Sequence, residues 1–137
     1  MINKYSCINI YENKNKNSKL SSQILYGEKF TILKRYKDWY KIKTSYDKYI
    51  GFIKKKKFES CVFKPTHKVS SLKAKVFLKP YKTSKVRMKL SFTSLIQVKS
   101  SNKGFFSFDN YWIQKSDVVP LSYKEKIFQR IKIFRNV

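Results

Sequence analysis

The sequence predicts an all-β protein made of two small barrels in tandem, followed by a C-terminal amphipathic helix. Three observations support this fold class. Short stretches rich in Val, Ile, Tyr, Phe and Trp recur from residue 8 to residue 114, separated by polar clusters, as is typical of short strands joined by turns. The second half of these stretches weakly repeats the first. After Pro120 the apolar spacing changes from alternating to helical.

Five strands are predicted in the first half of the chain. Side chains alternate between the two faces of a strand, so Phe30 and Ile32 share one face of the third strand, and Tyr40 and Ile42 share one face of the fourth. A hairpin turn at 45–48 joins the last two strands. The predicted strands cover residues 6–11, 23–26, 29–36, 39–44 and 49–53.

A weaker copy of this unit follows at an offset of about 60 to 66 residues. Residues 74–77 resemble 9–11, and residues 88–90 precede 94–98 much as 24–25 precede 30–33. Further on, residues 106–108 resemble 40–42, and 111–113 resemble 51–53. The pattern indicates an internal duplication of a five-strand unit.

The predicted boundaries place a first barrel at 4–60, a linker at 61–73, a second, degenerate barrel at 74–121 and a helix at 122–136. Pro65 favours extended geometry in the linker. Ser122 and Glu125 form a capping-box pattern. An apolar stripe at helical spacing follows, made of Tyr123, Ile127, Ile131 and Phe134 and widened by Phe128. We expect this basic helix to dock on a neighbouring domain rather than on an anionic membrane.

The chain carries 32 Lys and Arg against 8 Asp and Glu, a formal net charge of +24. Such a charge attracts phosphate polymers. However, the basic residues are mostly lysines spread along the whole chain. Asn, Ile, Phe and Tyr are abundant as well, and A+T-rich codons typically encode such a composition. The one dense run, residues 54–57, is either a solvated sheet edge or a polyanion site, and the edge is favoured.

Several classes of site and location are disfavoured by composition. No apolar run approaches the ~18 residues of a membrane span, and the N-terminus has no apolar secretory core, so we expect a cytoplasmic protein. Cys7 and Cys61 are too few for a disulfide framework, and His67 is the only histidine. A Cys61–His67 dyad is not expected, because neither cysteine has the surroundings of an activated thiol. We predict no catalytic residue, metal or cofactor.

Three short segments carry a family resemblance. Residues 25–28 (LYGE), 38–42 (DWYKI) and 49–53 (YIGFI) resemble the bacterial SH3 domain, SH3b, with its Gly before the third strand, Trp opening the fourth and Gly-aromatic in the fifth. The resemblance implies SH3-like small barrels. Gly27 would permit a tight turn, Gly51 a close backbone approach or bulge, and Trp39 would seal the barrel.

A wider resemblance covers essentially the whole chain. Residues 65–69 (PTHKV), the second barrel with 111–113 (YWI) and 118–121 (VVPL), and the helix after it are similar to the N-terminal half of NlpC-type cysteine peptidases of the cell wall. Those γ-D-glutamyl-diamino acid endopeptidases carry two SH3b domains followed by a papain-like hydrolase domain. The sequence ends at Val137, before the family's Asp-Cys-Ser-Gly motif, so we expect this chain alone not to hydrolyse peptides.

The resemblance implies a non-catalytic, substrate-gating role in a peptidoglycan peptide hydrolase. In the family, the first SH3b domain can close the cleft around the free amino end of a muropeptide. By motif match, Glu28 would pair with the ammonium of an L-Ala-D-Glu-diamino acid peptide, Tyr49 would cap the alanine, and Asp47 is a weaker candidate. The implied partners are a C-terminal peptidase domain and a muropeptide or stem peptide. The alternatives are an exposed turn carboxylate at Glu28 and a surface aromatic at Tyr49.

Two other functions stay open at this point. The chain could be a free-standing cell-wall module, although the missing secretory signal disfavours an anchor outside the cell. It could also be a nucleic-acid-binding barrel in which aromatic rings stack bases beside lysines, in a non-specific, salt-sensitive way. The aromatics concerned fall at alternating, core-like positions, so a core role is favoured for Tyr40, Phe52, Phe106 and Tyr111.

Overall fold

The computed structural model describes residues 1–122, which form an all-β fold in which every strand pair is antiparallel. The chain divides into two compact units, one of residues Met1–Val62 and one that begins at Phe63. The helix predicted at 122–136 lies, from residue 123 onward, outside the described part. Within that part no helix is long and apolar enough to cross a membrane.

The first unit contains a five-stranded sheet with the strand order β2-β1-β5-β4-β3. The fourth predicted strand has the predicted bounds, and the others differ by one to three residues at an end. The observed strands are β1 (Cys7–Tyr11), β2 (Leu20–Leu25), β3 (Phe30–Arg35), β4 (Trp39–Thr44) and β5 (Ile50–Lys54).

The core of the first unit follows the predicted alternation. Tyr40, Ile42 and Thr44 are buried on one face of β4. Phe30 opens β3 in the core, but a register shift between Ile32 and Lys34 interrupts the alternation beyond it. The buried cluster comprises Ile8, Ile10, Ile24, Phe30, Tyr40, Ile42 and Ile53, with Ile32, Tyr49 and Phe58 packed against it.

Trp39 does not seal the barrel as the sequence suggested. Its side chain is half-buried, and its ring meets the edge of the Tyr11 ring at 5.7 Å between centroids. The next residue, Tyr40, points into the core instead, because successive strand residues face opposite sides of a sheet.

The second unit contains a five-stranded sheet with the order β10-β11-β12-β7-β8 and a three-stranded sheet with the order β13-β6-β9. A 3₁₀ helix at Lys115–Asp117 precedes the last strand. The strands are β6 (His67–Val69), β7 (Lys73–Phe77), β8 (Val86–Ser91), β9 (Leu95–Ile96), β10 (Ser100–Asn102), β11 (Phe105–Phe108), β12 (Tyr111–Gln114) and β13 (Val118–Pro120).

Strand register confirms the internal duplication. Read from the other edge, the second five-stranded sheet runs β8-β7-β12-β11-β10, so β7, β8, β11 and β12 take the places of β1, β2, β4 and β5. The cross-strand pair Tyr11–Phe52 of the first unit corresponds to Phe77–Trp112 of the second. The predicted correspondence of residues 51–53 with 111–113 therefore holds in the structure.

One predicted repeat strand is wrong. The sequence suggested a continuous strand at 94–98, but only Leu95 and Ile96 are extended there, and they pair with β6. The neighbour of β11 is instead β10, whose three residues are all exposed and polar and therefore carry no apolar alternation. Between β9 and β10, the Val98 N–H donates to Thr66 Oγ1 at 2.9 Å.

The segment suggested as a linker, 61–73, contributes structure to the second unit. Residues 67–69 form β6, the central strand of the three-stranded sheet, and Val69 is fully buried. Phe63 is buried as well. The apolar residues of this stretch are too widely spaced to show strand alternation, so only pairing with β9 and β13 defines β6.

Candidate functional site

Glu28 closes the turn between β2 and β3. The Glu28 N–H donates to Leu25 O at 3.1 Å, and the Glu28 carboxylate accepts from the Leu25 N–H at 2.6 Å. Gly27 supplies the left-handed conformation that the third turn position requires, with φ of 82°. The carboxylate is thus tied to its own turn on one side, while the side chain is only half-buried.

The chain before β1 holds this turn from outside. Asn3 donates its backbone N–H to Glu28 O at 3.0 Å and accepts from the Gly27 N–H at 2.7 Å. Its buried side-chain amide donates to Ile24 O at 3.0 Å. Glu28 therefore stands on a backbone fixed by neighbours on both sides, as a binding group must.

Asp47 and Tyr49 lie in the loop between β4 and β5, and Thr44 organises both. The Thr44 hydroxyl donates to the Asp47 carboxylate and accepts from the Tyr49 N–H at 2.9 Å. The Thr44 N–H also donates to Tyr49 O at 2.9 Å. Asp47 is exposed and Tyr49 half-buried. Thr44 was not among the residues selected from the sequence, because a threonine in a strand carries no local signal of this role.

The Tyr49 ring lies close to the barrel backbone because Gly51 has no side chain. A Cβ on Gly51 would lie 3.1 Å from Tyr49 Cε1 and 2.4 Å from Ile10 Cγ2. Real Cβ atoms do not approach other atoms as closely as 2.4 Å, so glycine is required where β5 lies beside β1. This close approach is what the sequence predicted for Gly51.

The structure brings the two turns to the same end of the sheet. Phe30, at the start of β3, pairs with Thr44, at the end of β4. The Ser45 N–H donates to Lys29 O at 3.0 Å, which joins the two turns directly. Glu28, Asp47 and Tyr49, three candidates distant in sequence, therefore belong to one rim of the first unit.

Both cysteines belong to the first unit, and the histidine belongs to the second. Cys7 opens β1 and pairs with Leu25, and Cys61 is exposed in the first unit. His67 belongs to β6 of the second unit, where its Nδ1 lies 2.8 Å from Thr66 Oγ1 and its ring packs on Phe106. Burial lowers the pKa of His67 below its ordinary value. Between residues 1 and 122, no three His, Cys, Asp or Glu side chains cluster as a metal site would need.

The aromatics weighed as base-stacking residues are engaged within the protein. Tyr40 is buried in the core. Phe52, Phe106 and Tyr111 are half-buried and each contacts another ring, those of Tyr36, His67 and Phe108 respectively.

Five short antiparallel strands folded around one apolar core define the first unit as an SH3-like small barrel, and the shared strand order places the second unit in the same class. Residues 10–58 match the sequence model of the bacterial dipeptidyl-peptidase SH3 domain. The first unit is therefore similar to a bacterial SH3 domain over residues 10–58. No curated protein matches the sequence of this chain.

One solved structure shares the fold over a longer stretch. An NlpC/P60 family protein from Bacillus cereus superposes with a TM-score of 0.70 at 14% identity over 86% of this chain. NlpC2 from Trichomonas vaginalis aligns with a TM-score of 0.35 at 14% identity over 90% of this chain and 46% of its own. The present chain spans about half the Bacillus cereus protein, 55% of its length.

Proposed function

We propose that this chain is the non-catalytic region of a cell-wall peptide hydrolase, and that its first unit binds the free amino end of an L-Ala-D-Glu-diamino acid peptide. The bacterial SH3 domain at residues 10–58 and the fold shared with an NlpC/P60 protein support the association with such an enzyme. In this proposal the peptidase domain is a separate part of the same protein.

The observation that carries the proposal is the rim formed by the two turns of the first unit. Glu28 supplies a carboxylate on a backbone held by Asn3, and an ammonium is the natural partner of such a group. Tyr49 supplies a half-buried ring on the turn that is joined to the Glu28 turn by a backbone hydrogen bond, suited to a small apolar side chain such as that of alanine. Asp47 adds a second carboxylate on the outer side of the loop, bound to Thr44.

The second unit offers a comparison within the same molecule. Ser94 occupies the position of Glu28, since its N–H closes a turn to Ser91 O at 3.1 Å and its carbonyl accepts from the Val69 N–H at 2.9 Å. The loop that carries Asp47 and Tyr49 is replaced there by the two residues Asp109 and Asn110. The three candidates therefore occur together in the first unit alone among the described residues, which agrees with a role particular to that unit.

The test is a calorimetric titration of the protein with the L-Ala-D-Glu-diaminopimelic acid tripeptide and with its N-acetylated form. Glu28→Gln removes the charge but keeps an oxygen that accepts from the Leu25 N–H. A charge-assisted contact contributes about 1.5–3 kcal/mol, so Glu28→Gln should weaken binding of the free tripeptide at least about tenfold.

The matched control is Glu12→Gln, an exposed carboxylate just beyond β1, which should leave affinity within about twofold because exposed charges far from a ligand contribute little. The acetylated peptide should bind weakly to the wild type and equally weakly to Glu28→Gln. Equal affinity of the wild type for both peptides, or an unchanged affinity in Glu28→Gln, would refute the ammonium-binding role.

A further inference from the structure

A basic cleft lies at the other end of the first unit. It has a volume of about 610 Å³ and is defined here by Lys14, Lys16, Asp38, Trp39, Lys54 and Lys55. Trp39 opens β4 whereas Thr44 ends it, so five residue steps, about 16 Å of strand, separate the basic cleft from the Glu28 rim. The basic cleft is therefore separate from the proposed peptide site.

Three chain segments build the basic cleft, and each is fixed by backbone contacts. Trp39 pairs with Lys54 across β4 and β5, and the Lys55 N–H donates to Asp38 O at 3.0 Å. The loop after β1 brings Lys14 and Lys16 to the same place, because β1 and β5 are neighbours in the sheet.

The loop that carries Lys14 and Lys16 has its own hydrogen-bond framework. Its ends are joined by Glu12 N–H donating to Lys19 O at 3.0 Å. Within it, the Ser18 hydroxyl donates to Asn15 O at 2.7 Å, and the Asn17 N–H donates to the Asn15 side chain at 2.9 Å. The two lysines therefore project from a defined backbone, as a binding site requires.

Lys16 and Lys54 both line the basic cleft. A side-chain contact with Lys16 is the main cause that lowers the pKa of Lys54 below its ordinary value, with smaller contributions from desolvation and the charges of Lys16 and Lys56; Asp38 acts in the opposite direction. A charged lysine donates three hydrogen bonds and accepts none, so neither ammonium can satisfy the other. An anion between them would accept from both and remove their repulsion.

An aromatic surface adjoins these charges. Trp39 is half-buried, and its ring meets the Tyr11 ring edge to face. Trp39 also lines the cleft. Lys14 Nζ lies 3.8 Å from the centroid of the Tyr36 ring, so this lysine is held at the wall by a cation–π contact. The cleft thus combines paired cations with an apolar platform for a ring.

From this arrangement we infer that the basic cleft binds a phosphorylated sugar, with the phosphate between Lys16 and Lys54 and the sugar ring against Trp39. A phosphate monoester carries a charge of about −1.5 to −2 at pH 7 and three strong acceptor oxygens, which suits two separate ammonium groups better than a single carboxylate does. Asp38 at the rim can accept from sugar hydroxyls.

The same features disfavour a nucleic-acid strand as the ligand. A strand needs a groove that follows its backbone and several rings on which successive bases stack. The basic cleft has one half-buried aromatic platform in Trp39, while Phe52 and Tyr36 pack on each other. A single ring with one phosphate is the ligand that these groups fit.

The internal duplication provides a matched control residue. In the second unit the Leu78 N–H donates to Lys85 O at 3.0 Å and the Ser84 N–H donates to Tyr81 O at 3.0 Å, the same framework as in the first unit. Lys82 therefore occupies the loop position of Lys16. However, Gln114 stands where the first unit has Lys54, since it pairs with Phe105 as Lys54 pairs with Trp39.

The experiment uses the intrinsic fluorescence of Trp39 in the Trp112→Phe protein, because the chain has two tryptophans. The probes are glucose 6-phosphate, glucose, inorganic phosphate and a thymidine oligonucleotide. We expect glucose 6-phosphate to change Trp39 emission saturably and to bind at least about tenfold tighter than glucose or inorganic phosphate. Lys16→Ala and Lys54→Ala should each weaken this binding about tenfold, and Lys82→Ala should leave it within about twofold.

Four results would overturn the inference. Equal affinity for inorganic phosphate and glucose 6-phosphate would reduce the cleft to a simple anion site, and tighter saturable binding of the oligonucleotide would make it a nucleic-acid site. Equal losses in Lys16→Ala and Lys82→Ala would attribute binding to net charge. No response to glucose 6-phosphate would reject the site. If the Trp112→Phe protein does not fold, the indole N–H resonance of Trp39 in the wild-type protein provides the same readout.

Discussion

The two units of this protein share a strand order yet differ where function is expected. In the first unit, eight residues separate Ile42 of β4 from its partner Gly51 of β5. In the second, two residues separate the corresponding pair Phe108–Tyr111. The second hairpin is tight because Asp109 and Asn110 both have positive φ, as type I′ turns demand. The fold thus forms without the longer loop, so the residues of that loop in the first unit are available for ligand binding.

The turns before the third strand differ in their left-handed residue. Gly27 has φ of 82° in the first unit, and Thr93 has φ of 70° at the corresponding position of the second. Both turns are held identically, because the Gly27 N–H donates to Asn3 O and the Thr93 N–H donates to Val69 O. A β-branched residue in this conformation is strained, so surrounding contacts, not local preference, maintain the second turn. The buried Ser94 hydroxyl that follows makes no hydrogen bond.

The largest effect is expected at Gly51, where the first unit requires a glycine beside Ile10. Gly51→Ala places a Cβ 2.4 Å from Ile10 Cγ2, so we expect it to lower the free energy of unfolding of the first unit by about 1–3 kcal/mol. Urea unfolding followed by Trp39 fluorescence in the Trp112→Phe background measures this unit, and Trp112 fluorescence in the Trp39→Phe background measures the second. The exposed neighbour Ile50 is the control, since Ile50→Ala should change the value by less than about 0.5 kcal/mol. An unchanged midpoint in Gly51→Ala would contradict the close approach.

An intermediate effect is expected from exchanging the turn residues. Gly27→Thr should destabilise the first unit by about 1–2 kcal/mol, because left-handed geometry is costly for a residue with a Cβ. Thr93→Gly should stabilise the second unit by about 0.5–1 kcal/mol, since the relieved strain exceeds the entropy that glycine adds to the unfolded chain. The same two fluorescence-detected urea transitions measure both changes. Shifts of the same sign in the two variants would show that the turns are not equivalent.

The smallest effect is a pH dependence confined to the second unit. Burial lowers the pKa of His67 below the ordinary value of 6.5, so around and below this pH the unfolded chain binds more protons than the folded chain. The stability that the neutral histidine contributes is present above pH 6.5 and is lost as pH falls through the folded pKa. Unfolding of the second unit should therefore become easier between about pH 7 and pH 5.

The first unit is the internal control for this prediction, because His67 is the only histidine in the chain. Its urea midpoint should change less over the same interval. His67→Gln should flatten the response of the second unit. A wild-type midpoint for the second unit that rises on acidification would reverse the assigned direction of the shift.

Much of the fold could be predicted because its signals are local. Alternation located β4 to the residue, and the two SH3b glycines marked a left-handed turn at Gly27 and a close approach at Gly51. The strand β10 could not be found, since its exposed Ser and Asn residues carry no apolar pattern and only pairing with β11 makes them a strand. Trp39 was misplaced for a related reason: a large apolar residue at a strand end does not by itself reveal which face it occupies.

The candidate site also has features that the sequence predicted and features that depend on strand register. Motif match alone selected Glu28, Asp47 and Tyr49, but their meeting on one rim depends on the register of β3 with β4. Thr44, which holds two of the loop residues, has no property in the sequence that distinguishes it from other threonines in strands. The basic cleft went unrecognised as well, because Lys14 and Lys16 lie about forty residues from Lys54.

The sequence by itself determined the all-β class, the duplicated five-strand unit and the glycines that the first barrel needs, because alternation and left-handed geometry are properties of neighbouring residues. Tertiary structure alone decided which lysines meet beside Trp39, which turns form the Glu28 rim, and that β9 and β10 are two strands where the first unit has one. Each of these depends on hydrogen-bond register between segments distant in the chain, and register is set by the packing of the whole core.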